Sequence, residues 1–304
     1  MYCRQLRVTD KETFNSKGPL LLACNHPNSF LDAIIMASLF QRPVYSLARG
    51  DVFKNKSVAW ILRSLKMLPV YRTSEGTENM EHNYRTFDAC KEIFKKNGIV
   101  LIFSEGRCVN EWHLRPLKKG TARLAISAWK DEIDLTVLPI GINYQSFRSF
   151  GKNIHLRVGK RITKKDIDHQ NGFGKSVQSF NELLSTKLKE LVYEIDKQDD
   201  EKKRAYFKVT FPGFVKMLLA IPALLGYILH FPIYYPAKIT AAKTSKHNDH
   251  YDSILIGMLF LFYPLYLVLL SLLVHWFFPG NFAWTVFILL PFCAWSYLQL
   301  KKQF

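Results

Sequence analysis

Pro19-Leu20-Leu21-Leu22-Ala23-Cys24, followed directly by Asn25-His26-Pro27-Asn28-Ser29-Phe30-Leu31-Asp32, reads as a strand that ends in a turn and hands over to a helix. The apolar run is short and unbroken, the turn is rich in Pro, Asn and Ser, and an apolar helix begins near Leu31. A histidine stands at the mouth of the strand with a carboxylate six positions on. Asp32 is the only acid between His26 and Asp51, so no other local partner exists. A neutral imidazole held at one nitrogen by a carboxylate can take a proton from a hydroxyl near neutral pH. On one continuous helix, six positions would turn the two side chains apart. The extra residue therefore belongs to the turn, at Pro27-Asn28, ahead of the helix.

Outward from this stretch, short apolar runs alternate with amphipathic ones. Strands are expected at 20–24, 44–47, 69–71, 99–103, 136–140 and 154–158, and helices at 31–40, 57–66, 84–95, 120–129 and 176–195. This is the pattern of an α/β domain with a mostly parallel sheet flanked by helices, expected over 1–200. Such sheets place ligands at strand ends. Phe103-Ser104-Glu105-Gly106-Arg107 follows the run Gly98-Ile99-Val100-Leu101-Ile102, so His26 and Glu105 both lie just past strands and can meet at one sheet edge. Gly172-Phe173-Gly174-Lys175-Ser176 is not a nucleotide-binding loop: the first glycine of that motif falls on His169, and no strand precedes it.

Four stretches in order, His26 to Asp32, Leu68-Pro69-Val70-Tyr71-Arg72, Phe103 to Arg107 and Val137-Leu138-Pro139-Ile140-Gly141, resemble the motif blocks of the glycerolphosphate and lysophosphatidic acid acyltransferase family. That family reads His-x4-Asp, a block ending in Arg, Phe-Pro-Glu-Gly-Thr-Arg, and Val-x-Pro-Val. The likeness spans about residues 5 to 190. Here the His-to-Asp gap holds five residues, and the third block lacks the Pro and the Thr while keeping Glu105, Gly106 and Arg107.

The resemblance implies acyl transfer from a thioester, acyl-CoA or acyl carrier protein, to the hydroxyl of lysophosphatidic acid or glycerol 3-phosphate. His26 takes the role of base, and Asp32 orients it. The thioester is already activated, so neither Ser29 nor Ser104 is needed as a nucleophile. Arg72 and Arg107 are the expected phosphate ligands, because guanidinium matches phosphate oxygens with paired hydrogen bonds. Glu105 orders Arg72 or another cation, or receives an acceptor hydroxyl, and Gly106 lets main-chain N–H groups approach the ligand. Pro139 shapes the acyl-donor site. Lys118, Lys119 and Arg123 form a second basic patch, either a solvated helix face or a dock for donor phosphates or an acidic carrier. The alternatives are an acyltransferase for another lysolipid, and a membrane-tethered binding protein that kept the fold without the activity.

The chain carries a formal charge of +17 over 304 residues. Residues 213–304 hold six Lys and two Asp, so +13 falls on residues 1–212, the motif-bearing part. An anionic membrane face or a phosphorylated substrate accounts for this excess. Nucleic acid does not, since stacking motifs are absent. Cys3, Cys24, Cys90, Cys108 and Cys293 have no metal-ligand spacing, and their odd number argues against a disulfide framework. A reducing, cytoplasm-facing catalytic domain is expected, with no metal and no cofactor beyond the acyl donor.

Residues 201–304 are expected to anchor the chain in a membrane. Residues 253–278 carry no charge and would span about 39 Å as a helix, against a hydrocarbon core of about 30 Å. Residues 282–298 form a second uncharged run, and Pro279-Gly280-Asn281 is the turn of the hairpin. Trp276, Trp284, Trp295 and Tyr297 lie near its ends, as interfacial aromatics do. Residues 211–236 carry prolines at 212, 222, 232 and 236, enough to break a regular helix. An interfacial or re-entrant segment there would leave Lys238, Lys243, Lys246, Lys301 and Lys302 on one side of the membrane. The chain starts without a secretory signal and without room for an apolar stretch ahead of the first block, so the C-terminal region is expected to serve as the anchor.

Overall fold

A computed structural model describes residues 2–71, 78–167, 172–280 and 282–302, with the side chains of 78–83 left aside. Among the described residues, seven strands form one mixed sheet in the order β1-β7-β6-β2-β5-β3-β4. The strands are β1 (Cys3–Val8), β2 (Leu20–Cys24), β3 (Val44–Arg49), β4 (Met67–Val70), β5 (Ile99–Phe103), β6 (Thr136–Tyr144) and β7 (Lys152–Val158). β2 pairs in parallel with β5 and β6, and β3 in parallel with β4 and β5. Every residue of β2 is buried, which is why its sequence is an unbroken apolar run rather than an alternating one. Helices α1 (Phe30–Leu39), α2 (Lys56–Ser64), α3 (Glu78–Lys95) and α4 (Gly120–Lys130) connect strands, and α5 (Phe173–Leu191) follows the last of them.

The chain divides into two compact units. The first to be described comprises Val8–Asn143 and His155–Glu194. Its core joins β2, β5 and β6 to α4 and α5: the Trp129 indole donates to the Leu135 carbonyl at 2.8 Å and meets Phe180 edge-on at 5.8 Å. Here β2 and β5 have the bounds read from sequence, β3 and β6 extend theirs by a few residues, and β4 starts two positions earlier and ends one earlier than expected.

The other unit comprises Met1–Arg7, Tyr144–Ile154 and Ile195–Phe304. It contains α6 (Asp200–Phe207), α7 (Gly213–Thr244), α8 (Tyr251–Phe277) and α9 (Val286–Leu300). Three of its helical segments, Gly213–Thr244, Tyr251–Phe277 and Ala283–Leu300, are long and apolar enough to cross a membrane. Their outward faces expose Leu218, Ile221, Phe260, Leu265, Trp276 and Phe287. α6 is capped by the Asp199 side chain, which accepts from the Lys202 N–H at 2.8 Å.

The run 211–236 is not broken by its prolines. From Gly213 on it lies within α7, which is continuous to Thr244 with Pro222, Pro232 and Pro236 inside and Pro212 at its N-cap. A straight helix of that length would extend about 48 Å. Its C-terminal part, at Ala237 and Ala241, packs with Tyr251, Leu255 and Phe150. Its N-terminal part, at Lys216, shares a cleft with Gln299, Leu300, Lys301 and Lys302. The Phe150 carbonyl accepts from Lys301 Nζ, so both ends of α7 sit at the same end of the α8–α9 pair. The helix therefore bends, in a stretch where proline rings remove backbone donors and clash with the preceding turn. At the bend, Gly226 packs against the backbone of Cys293.

Candidate active site

β2 and β5 run side by side in parallel with Cys24 paired to Phe103, so the residues after each emerge at one sheet edge. His26 follows β2. Its ring lies flat on the ring of Phe103, with centroids 3.8 Å apart and planes 7° apart. Its Nδ1 is 2.9 Å from Asp32 Oδ2, and that same oxygen accepts from the Asn28 N–H at 2.8 Å. Asp32 is wholly buried in the first turn of α1, whereas the His26 side chain keeps 19% of its surface accessible. A carboxylate can only accept, so the proton on this imidazole belongs to Nδ1, and Nε2 is the basic nitrogen.

The gap of five residues is absorbed in the turn before the helix, which begins only at Phe30. Ser29, the residue capping α1, has φ of +53°, a conformation side chains rarely adopt. The chain reverses there, and the reversal aims Asp32 back at His26. The Ser29 N–H donates to Cys108 Sγ at 2.9 Å, and Asn110 Nδ2 donates to the Pro27 carbonyl at 2.7 Å. The segment after β5 thus clamps the segment after β2. Asn25 adds a third tie: its amide donates to the Ile142 carbonyl at 3.0 Å and accepts from the Ile142 N–H at 2.7 Å.

Glu105 braces the histidine directly. One carboxylate oxygen accepts from the His26 N–H at 2.7 Å, and the other accepts from the Arg115 N–H at 2.9 Å. Burial pushes the Glu105 carboxyl above its ordinary value, opposed by those two backbone hydrogen bonds. Gly106 follows at φ of +65°, and a Cβ there would lie 2.9 Å from Lys118 Cγ. Only glycine fits this turn without strain.

A His–carboxylate pair, tied to a Glu-Gly-Arg turn at one edge of a parallel strand pair, is the decisive geometry. Residues 5–143 match the family model described as Acyltransferase. That match places the segment 5–143, a little under half of the chain, in the acyltransferase family. A 1-acyl-sn-glycerol-3-phosphate acyltransferase of Bacillus subtilis (strain 168) is 22% identical over 192 residues, covering 63% of this chain and 90% of the relative. The chloroplastic 1-acyl-sn-glycerol-3-phosphate acyltransferase BAT2 of Brassica napus is 24% identical over 127 residues, 42% of this chain and 35% of that one. Among solved structures, the 1-acyl-sn-glycerophosphate (LPA) acyltransferase PlsC of Thermotoga maritima aligns with a TM-score of 0.43 at 16% identity, over 62% of this chain and 72% of that one.

Arg107 is exposed in the turn beside Gly106, and Arg72 lies outside the described residues. Pro139 is buried inside the sheet, paired with Ala23 one position short of the end of β2, and its carbonyl accepts from the Gly159 N–H. The two Glu105 oxygens hold main-chain donors, and its expected partner Arg72 lies outside the described residues. Sequence reading passed over Phe103, Asn25, Asn110 and Ser29 as parts of the site. Only Asn25 and Ser29 carried a signal, being polar residues at a strand end and at a helix start.

Proposed function

We propose that the protein is a membrane-bound O-acyltransferase that moves a fatty acyl group from acyl-CoA or acyl carrier protein to lysophosphatidic acid or glycerol 3-phosphate. The contact between His26 Nδ1 and Asp32 carries this reading. His26 Nε2 removes the proton from the acceptor hydroxyl, and the oxygen attacks the thioester carbonyl carbon. The tetrahedral intermediate collapses, the C–S bond breaks, and the thiol departs with the proton from the imidazolium. Asp32, fixed by the Asn28 N–H, stabilises that imidazolium. Arg107 and Arg72 are assigned to the acceptor phosphate, and Pro139 to the wall of the donor site. No metal and no cofactor other than the acyl donor has a role in this scheme. The names of the relatives, both 1-acyl-sn-glycerol-3-phosphate acyltransferases, favour the lysophosphatidic acid acceptor.

Membrane attachment suits an acceptor that partitions into lipid. α2 supports it, exposing Val58, Trp60, Ile61 and Leu65 among Lys54, Lys56, Arg63 and Lys66, an apolar and basic surface suited to the interface. Lys216, Lys301 and Lys302 stand at the end where α7 begins and α9 finishes, whereas the α8–α9 turn carries Phe278 and Phe282 and no charge. By the positive-inside rule the basic end faces the cytoplasm, with α7 as a re-entrant segment beside the α8–α9 hairpin. Purified protein, an acyl-CoA or acyl carrier protein, and a panel of lysolipids plus glycerol 3-phosphate, assayed for thiol release, test the reaction. Release only with a phosphate-bearing acceptor is expected. Release with none of them would remove the proposal.

A further inference from the structure

Between α6, the start of α7 and the end of α9, all within the helical unit, lies a cleft of about 400 Å³. Arg204, Lys208, Lys216, Lys301 and Lys302 line it, and its lining includes no acid. Lys208, Lys216 and Lys302 are exposed and make no ion pair among the described residues. Val209, Phe211 and Leu300 supply an apolar wall. Gln299, only 6% exposed, also lines the cleft and adds a polar side chain to it.

We propose that this cleft binds the headgroup phosphate of an anionic phospholipid. The cations and the Gln299 amide would take the phosphate oxygens, while the apolar wall takes the glycerol and the first carbons of the chains. Two details of the backbone favour an anion here. The cleft opens at the N-terminus of α7, where unpaired N–H groups carry partial positive charge. Two carbonyls at the end of α9 that would repel an anion are already held, because Arg4 donates to Leu298 and to Lys301, each at 2.8 Å. Burial, then the charges of Lys238 and Arg4, hold the Lys301 ammonium below its ordinary value, so an anion beside it relieves a crowded set of cations. A lipid is the source, rather than free phosphate, because apolar side chains share the cleft and the helices around it are of membrane-crossing length. The site rests on the membrane placement proposed above, but not on the acyl-transfer chemistry.

The test is lipid retention by the purified full-length chain in detergent, titrated with phosphatidylglycerol or phosphatidylcholine and counted by native mass spectrometry. One phosphatidylglycerol should be held at least about tenfold more tightly than phosphatidylcholine, since each nearby cation attracts an anionic headgroup. Replacing the three exposed cations together (Lys208→Gln, Lys216→Gln, Lys302→Gln) should abolish that preference, and the matching arginine triple should keep it. A second triple with the same loss of charge outside the cleft (Lys202→Gln, Lys243→Gln, Lys246→Gln) should also keep it. Equal retention of both lipids, equal loss in both glutamine triples, or displacement of the lipid by millimolar inorganic phosphate would each overturn the site. An inactive protein that still holds the lipid would remove the acyltransferase reading and leave this one standing. Failure to insert into any vesicle would remove the membrane placement and the site together.

Discussion

Asp32 Oδ2 accepts from His26 Nδ1 at 2.9 Å and from the Asn28 N–H at 2.8 Å, so a single buried oxygen sets both the tautomer and the tilt of the histidine. Removing the imidazole removes the base, and His26→Ala should lower kcat by about 10²–10⁴. Asp32→Asn is the sharper test. Its amide can turn its NH₂ toward the ring and favour the opposite tautomer, which places a proton on Nε2 where a lone pair is needed. A loss in kcat comparable to that of His26→Ala, with KM for the acceptor little changed, is expected. An Asp32→Asn enzyme of normal kcat would detach the carboxylate from the chemistry.

Glu105 carries a second, separable prediction. Its two oxygens accept from the His26 and Arg115 N–H groups, so Glu105→Gln leaves one of these donors facing an NH₂ group. That mismatch should cost about 1–3 kcal/mol in stability. The raised carboxyl fixes the sign of the pH dependence. Between the ordinary glutamate value and the raised one, the folded chain holds a proton that the unfolded chain has released. Stability from this group is thus complete below the ordinary value and is lost as pH rises through the raised value. The stability difference between wild type and Glu105→Gln, measured by denaturant titration, should widen as pH falls through that window. A difference independent of pH would mean the carboxyl is not perturbed.

What the sequence made legible divides along physical lines. β2 and β5 are found at their true bounds because each is an all-apolar run closed by a polar turn, and burial on both faces demands that composition. β1 is missed because Arg4 and Arg7 interrupt its apolar residues, as an edge strand allows. α6 is missed because its start depends on the Asp199 cap more than on any apolar stripe. The bracing by Glu105 leaves no trace in residue types, since its partners are main-chain N–H groups at positions 26 and 115. The His26–Asp32 spacing misleads only if both residues are put on one helix, and His26 precedes α1.

In the helical unit, Lys152 and Asp252 form an ion pair with both side chains wholly buried, and Tyr2 donates its hydroxyl to the same Asp252 oxygen at 2.8 Å. The Tyr2 and Tyr144 rings also face the ammonium, at 5.2 and 5.8 Å. Asp252→Ala strands a buried cation and should cost about 3–5 kcal/mol. Replacing both partners at once (Lys152→Met with Asp252→Leu) removes the uncompensated charge and should recover most of that loss. Thermal unfolding of the purified chain in one detergent reads both. A single variant as stable as wild type would show that the pair does not hold the start of α8.

The bend in α7 depends on Gly226, where an added Cβ would lie 2.1 Å from the Cys293 carbonyl oxygen. No side-chain rearrangement relieves that clash, because the obstacle is backbone. Gly226→Ala must push α7 away from α9, and overpacking of this kind costs about 1–3 kcal/mol. Gly257 in α8 is the internal control: an added Cβ there meets nothing within 4 Å. Gly257→Ala should hold or improve stability by up to about 1 kcal/mol through helix propensity. Thermal unfolding in detergent should therefore separate two glycine-to-alanine changes that helix propensity alone would rank together. Trimming the neighbour (Cys293→Ala in the Gly226→Ala background) should restore nothing, since the carbonyl stays where it was. Rescue by that second substitution would show that a side chain, not the helix backbone, limits the approach of α7 to α9.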